Sequence, residues 1–246
     1  MIFNTEHIRN FFMSFFAKLF GFKSQSTQAT TEPTATVATP ATVVTQPEAL
    51  SFLEIMEKRR SIYAIGRNLT QSPAEIEALI QQTIKASPSA FNSQSSRAVI
   101  LFGQAHEKFW TIVLETLRKI VPTEAFAATQ HKIQSFAAGT GTVLFYEDQS
   151  VVKGLQEQFA AYADNFPVWS EHSTAIAQFT VWSALAEQNI GASLQHYNPI
   201  IDEEVAQTFA VNADWKLRAQ LVFGSIEAEA GDKSFMDDAA RFKTFA

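Results

Sequence analysis

The loop Pro88-Ser89-Ala90-Phe91-Asn92-Ser93-Gln94-Ser95-Ser96-Arg97 runs straight into the apolar stretch Ala98-Val99-Ile100-Leu101-Phe102. An unbroken apolar run bounded by turn formers reads as a buried strand. A loop feeding a core strand is anchored by it, so its polar side chains are presented from a fixed base. Asn92, Ser93 and Gln94 offer amide and hydroxyl donors and acceptors without formal charge. That set suits the edge of a flat heteroaromatic ligand better than a metal or a phosphate. Asn, Ser and Pro also crowd into ordinary turns, so composition alone leaves a plain loop as the simpler reading.

Around this loop the chain alternates helical and strand patterns. Ser72-Pro73-Ala74-Glu75 has the form of a helix start, with Ser72 as N-cap, Pro73 at the first helical position and Glu75 two residues on. Ile76, Leu79, Ile80, Thr83 and Ile84 then mark a buried stripe up to Ser87-Pro88. From His106 to Ile120 the residues Phe109, Trp110, Val113, Leu114 and Leu117 keep helical spacing, and His106 reads as a surface residue. Residues 124–138 continue as a helix, broken by Gly139 to Gly141 before a strand over Thr142–Tyr146. Glu147 and Asp148 follow. Adjacent carboxylates point different ways and no histidine accompanies them, so a solvated loop is preferred to a metal site.

Residues 151–165 carry Leu155, Phe159 and Tyr162 on a short helix. The longest helical run spans from near Ser170 to Asn189-Ile190-Gly191, whose glycine suits a left-handed stop. It is apolar over more than half its circumference, as befits a helix packed on several sides or central to a subunit interface. Gly191 to Pro199 reads as a short strand entering a polar turn. Ile201-Asp202-Glu203-Glu204-Val205 opens a helix with carboxylates in its first turn. Trp215 to Phe223 alternates as a strand that ends at Gly224.

The first 50 residues differ in kind. Over 1–23, Ile8, Phe11, Phe12, Phe15, Phe16, Leu19 and Phe20 form an amphipathic helix stripe with Arg9 and Lys18 off it. It is too short to span a bilayer and makes a poor signal peptide. Peripheral membrane contact, docking on the body or a partner, and a true start at Met13 instead of Met1 all stay open. Residues 24–49, rich in Thr, Ala, Pro, Val and Gln, bury too little to offset ordering entropy and read as a flexible linker. The body over 50–246 is long enough for one substantial core. A net charge of −6 argues against a broad nucleic-acid surface. Zero cysteines exclude a disulfide framework, a thiolate nucleophile and a zinc-thiolate site, and fit a reducing, cytoplasmic compartment.

Lys58-Arg59-Arg60-Ser61-Ile62-Tyr63 closes a short helical pattern carried by Phe52, Leu53, Ile55 and Met56. Two arginines and a serine match a phosphate, although a basic pair at a helix end is also a common dipole contact. Near the C-terminus Arg241-Phe242-Lys243 places two cations on one side if extended. No Gly-x-Ser-x-Gly elbow, His-Glu-x-x-His, Walker loop or dinucleotide fingerprint is present. A chain without its own reactive set is suited to borrowing one from a cofactor.

Arg59-Arg60-Ser61 followed by Pro88-Ser89-x-x-Asn92-Ser93-Gln94 resembles the nitroreductase family of FMN-dependent oxidoreductases, in its Frm2-like branch, over about residues 51–246. The resemblance implies an α+β fold with a mixed, mostly antiparallel central sheet flanked by helices. It also implies an intertwined homodimer with FMN at the subunit boundary. It carries the FMN phosphate to Arg59, Ser61 and neighbouring Arg60, and to Arg241 and Lys243. The flavin ring goes to Asn92, Ser93 and Gln94 of the partner copy, and contacts near its reducible edge to Gln195, His196 and Tyr197. His196 is either a proton donor or a wall of the site. Phe166 and Trp169 either stack over the ring or pack in the core. The implied activity is ping-pong hydride transfer from NADH or NADPH to nitroaromatic or quinone-type acceptors. A non-catalytic flavin carrier or sensor, membrane-tethered or not, is the rival. Two departures stand out: Ser95-Ser96-Arg97 replaces the Pro-Trp that follows Asn-Ser-Gln in many members, and Tyr63 occupies a commonly basic position.

Overall fold

A computed structural model describes residues 49–245. The expected helix over 1–23 and nearly all of the expected linker lie outside them. The body opens with α1 (Phe52–Lys58), the two-residue strand β1 (Ile65–Gly66) and α2 (Pro73–Ala86). Both helices start with a reciprocal cap. Ser72 Oγ accepts from Glu75 N at 3.3 Å while Glu75 accepts from Ser72 N at 2.8 Å, and Ser51 and Glu54 repeat the arrangement. Then come β2 (Ser96–Phe102), α3 (Gly103–Arg118), α4 (Thr123–Ala137) and β3 (Gly141–Asp148). The chain continues through α5 (Gln149–Gln158), a 3₁₀ segment Ala160–Asn165 and α6 (Phe166–Glu187). It ends with β4 (Gly191–Gln195), α7 (Asp202–Thr208), β5 (Trp215–Ile226) and the single turn α8 (Asp238–Arg241).

The five strands form one sheet in the order β1-β5-β3-β2, with β4 also on β5, and every strand pair is antiparallel. A parallel bridge outside the named strands joins Ser61 to Ala192. Alternation along β3 sends Leu144 to one face and Val143 and Phe145 to the other. Leu144 meets Phe109, Trp110 and Phe136 of α3 and α4. Val143 and Phe145 meet Ile76 and Ile80 of α2 and Val181 and Leu185 of α6. Each of these fully buried apolar side chains contributes about 1.5–3 kcal/mol, so the two helical layers clamp the sheet. The fold is α+β, as expected.

Several local expectations are corrected. β2 is an edge strand, and only Leu101 of it is buried. β5 does not end at Gly224 but runs to Ile226, because Gly224 is where β1 crosses closely: a Cβ there would sit 2.2 Å from the Gly66 carbonyl oxygen. The left-handed stop after α6 falls on Asn189 (φ 58°), while Gly191 enters β4 between Ile62 and Ile226. α6 also begins at Phe166, with Pro167 in its first turn, earlier than the sequence indicates.

His106 is buried, not on the surface. Its Nε2 faces the Ala137 carbonyl at 3.3 Å, which can only accept, so that nitrogen carries the proton and Nδ1 accepts from Thr142 Oγ1 at 2.9 Å. Thr142 Oγ1 in turn accepts from Trp110 Nε1 at 3.0 Å. Glu147 and Asp148 are equally far from a solvated loop. Glu147 is 1% exposed and paired with Arg218 at 2.8 Å, which also holds Glu171. Burial outweighs the Arg218 contact and raises the Glu147 pKa. Asp148 caps α5 and pairs with Arg97 at 3.0 Å.

Candidate functional site

Arg59 is the C-cap of α1, where the helix gives way to extended backbone (φ −63°, ψ 107°). Ile62 N then donates to Ala192 O at 3.0 Å, and with the Ser61–Ala192 bridge this splints the basic segment to β4. The Arg59 guanidinium lies 4.4 Å from the centre of the Trp182 ring, a cation–π contact that fixes its plane. Its Nε is buried and has no hydrogen-bond partner among the described residues. Burial, then the neighbouring Arg60 charge, lowers the Arg59 pKa. A desolvated cation with an unmet N–H is stabilised by an anion set against it.

Arg59, Arg60 and Ser61 line a cleft of about 530 Å³ whose other wall is the segment 228–233. Arg60 Nη2 donates to Gly231 O at 2.7 Å and so fastens that wall. Tyr63 lines the same cleft and is exposed, and Glu229 and Asp232 set carboxylates opposite the arginines. Arg241 and Lys243 are exposed and are not among the lining residues. One chain therefore gathers Arg59, Arg60 and Ser61 in this cleft without its C-terminal cations.

The Asn-Ser-Gln loop occupies a different cleft, of about 430 Å³, lined by Ser93, Gln94, Ser89, Arg97 and Lys85. Phe91, Asn92 and Gln94 all have left-handed backbone (φ 57°, 49° and 48°). For a residue other than glycine this costs about 1–2 kcal/mol, so the surroundings must hold it. They do so through hydroxyls on α6. Ser95 Oγ meets Ser170 Oγ at 3.1 Å, Ser96 Oγ meets Thr174 Oγ1 at 3.2 Å, and Ser87 Oγ meets Thr180 Oγ1 at 2.7 Å. Phe91 packs into an aromatic group with Phe159, Phe166 and Trp169, its ring centre 5.9 Å from that of Trp169 and nearly parallel to it.

The third segment leaves β4. Gln195 is buried and donates to Ser193 Oγ at 3.1 Å, whereas His196 is exposed. Tyr197 N donates to Gln220 Oε1 at 2.7 Å, which ties the turn to β5. The Tyr197 ring faces inward onto Trp110, 5.9 Å between centres, and burial pushes its pKa up to about 12. Through the splint to β4, one chain links the basic segment with Gln195 and leaves Ser93 and Gln94 on another cleft, with Asn92 beside them in sequence but not lining it.

The model of the nitroreductase family matches residues 56–225. The chain belongs to the nitroreductase family. Among its relatives in Saccharomyces cerevisiae, HBN1 is 35% identical over 76% of this chain and 93% of its own length. The yeast nitroreductase FRM2 is 31% identical over 76% and 94%. The crystal structure of the nitroreductase CinD from Lactococcus lactis, in complex with chloramphenicol, is 52% identical, covers 80% of this chain and all of its own, and has a TM-score of 0.74. A Desulfovibrio desulfuricans protein in complex with FMN shares the fold at 17% identity, with 79% and 97% coverage and a TM-score of 0.58. At the Arg59 cleft, Trp182 and the segment 228–233 were not foreseen from the sequence, since both approach from distant elements. The hydroxyls of α6 were legible in principle: Ser170, Ser173 and Thr174 share one helical face.

Proposed function

We propose that this chain is an FMN-dependent NAD(P)H oxidoreductase that reduces nitroaromatic or quinone-type acceptors as a homodimer. The observation that carries the reading is Arg59, whose partly desolvated guanidinium and unpartnered buried Nε line a cleft with Arg60 and Ser61. That donor set fits the phosphate of FMN: two cations and a hydroxyl, one cation already oriented by Trp182. The separation of the two clefts supports an assembly in which Asn92, Ser93 and Gln94 come from a second copy, and Arg241 and Lys243 then reach the phosphate of that copy's site. Complexes of the L. lactis nitroreductase with chloramphenicol and with 4-nitrophenol favour aromatic nitro compounds as acceptors.

Bound FMN supplies two-electron exchange, in ping-pong order, between NADH or NADPH and the acceptor. The side chains orient and tune it. The amides of Asn92 and Gln94 would hold the ring edge, Gln195 and the turn through Tyr197 would flank its reducible side, and exposed His196 would pass a proton to acceptor. The test is an absorption spectrum of the purified full-length protein followed by anaerobic titration with each nicotinamide and turnover with a nitroaromatic. A flavin spectrum bleached by NADH or NADPH, with R59A weakening FMN at least tenfold, is the expected result. Colourless protein whose melting temperature ignores FMN overturns the proposal. Yellow protein inert toward every acceptor makes it a carrier or sensor.

A further inference from the structure

Arg97 stands where many family members have the residue after Pro-Trp, and its guanidinium joins three things. Nη1 donates to the Gln94 carbonyl and, at 3.1 Å, to the Ser96 carbonyl, while Nη2 donates to Asp148 Oδ2 at 3.0 Å. Asp148 is divided in the same way. Its other oxygen accepts from Ser150 N at 3.0 Å and Val151 N at 3.4 Å to cap α5, and its own amide donates to Ser95 O at 2.9 Å. Burial opposes the Asp148 charge, but the Ser150 hydroxyl and amide, Arg97 and Val151 together hold its pKa below the usual range. Gln94, at the start of this chain of bonds, has left-handed backbone, and its neighbour Ser93 shares its cleft.

We propose that Arg97 and Asp148 are positioning residues that set the Asn92-Ser93-Gln94 loop for the cofactor, taking over the stiffening that a proline would otherwise provide. Arg97 lines the same cleft as Ser93 and Gln94, and the pair acts through the loop that it holds. A planar fork reaches two carbonyls from one nitrogen and a carboxylate from the other in fixed geometry, whereas an ammonium directs its three N–H groups from a single point. Elsewhere in the loop Asn92 N donates to Ser89 O and Ser93 N to Ala90 O, both at 3.0 Å, Gln94 N donates to Ser89 Oγ at 2.9 Å, and Ala90 N donates to Ser173 Oγ at 3.4 Å. Without the fork, nothing in that set constrains the Gln94 carbonyl. The inference rests on the flavin reading above.

The test uses the full chain stripped of flavin and retitrated with FMN, read by the dissociation constant, the absorption spectrum and reduction potential of bound FMN, and the melting temperature of the apoprotein. R97A is expected to weaken FMN at least tenfold and shift the potential. D148N is expected to do the same, and the double variant to be no worse than R97A. R97K, which keeps the charge and loses the fork, is expected to fail as a rescue, and it reads the same quantities should R97A not fold. Variants with a lower melting temperature but wild-type FMN affinity and potential overturn the proposal, as do losses that multiply in the double variant. A wild-type chain that takes up no FMN removes the flavin reading itself, and this inference with it.

Discussion

His106 is held neutral by its surroundings: burial lowers its pKa to about 4, against the opposing pull of the Ala137 carbonyl. The unfolded chain binds a proton near the ordinary value of 6.5. Between those two values the unfolded state carries more protons, so stability rises with pH across that window. The contribution is full above 6.5 and is lost as the pH falls toward 4, amounting to about 3 kcal/mol. Urea denaturation of wild type and H106Q across that range checks it. The difference between the two should shrink or reverse as the pH drops, since glutamine does not titrate. A constant difference would show that His106 titrates alike in the folded and unfolded chain. The sequence showed a histidine near a helix start, and nothing local marked it as buried. Its partners Thr142 and Ala137 lie over thirty residues away, and only the packing of α3 and α4 on β3 brings them together.

At the scale of elements, local chemistry was legible and crossings were not. The capping box of α2 could be read from four adjacent residues because a cap is satisfied within one turn. Glycines were read as terminators at 191 and 224, yet both serve close approach between strands that are distant in sequence. G224A therefore drives a methyl group into backbone and is expected to destabilise the protein by about 3 kcal/mol, seen as a lower urea midpoint. Gly154 is the contrast. It sits within α5 with open space about its Cα, so G154A should be neutral or stabilising by up to about 1 kcal/mol. Equal midpoints for the two variants would refute the crossing as the reason for glycine at 224. The same logic explains the candidate site: each motif was legible as a string, but its cleft was not. Arg59 needs Trp182 of α6, and the loop needs Ser170 and Thr174 of the same helix.

For the whole molecule, one chain presents two separate clefts, and large apolar side chains stand exposed among its described residues. Phe52 and Leu53 on α1 and Phe235 and Phe245 of the C-terminal segment are more than half exposed. Surface of that kind is what the proposed two-fold assembly would cover. The proposed dimer makes a prediction that no single-chain site can meet. Let R59A break the basic segment of one chain and a paired substitution, N92A with Q94A, break the loop of another. Each homodimer then has two damaged sites. In a mixed dimer, the intact basic segment of the second chain meets the intact loop of the first, and the remaining site carries both lesions. Random pairing of equal amounts makes half the dimers mixed, each with one working site, so about a quarter of wild-type FMN binding and turnover should return on co-expression. A site built within one chain would be broken in every copy, and mixing would recover nothing.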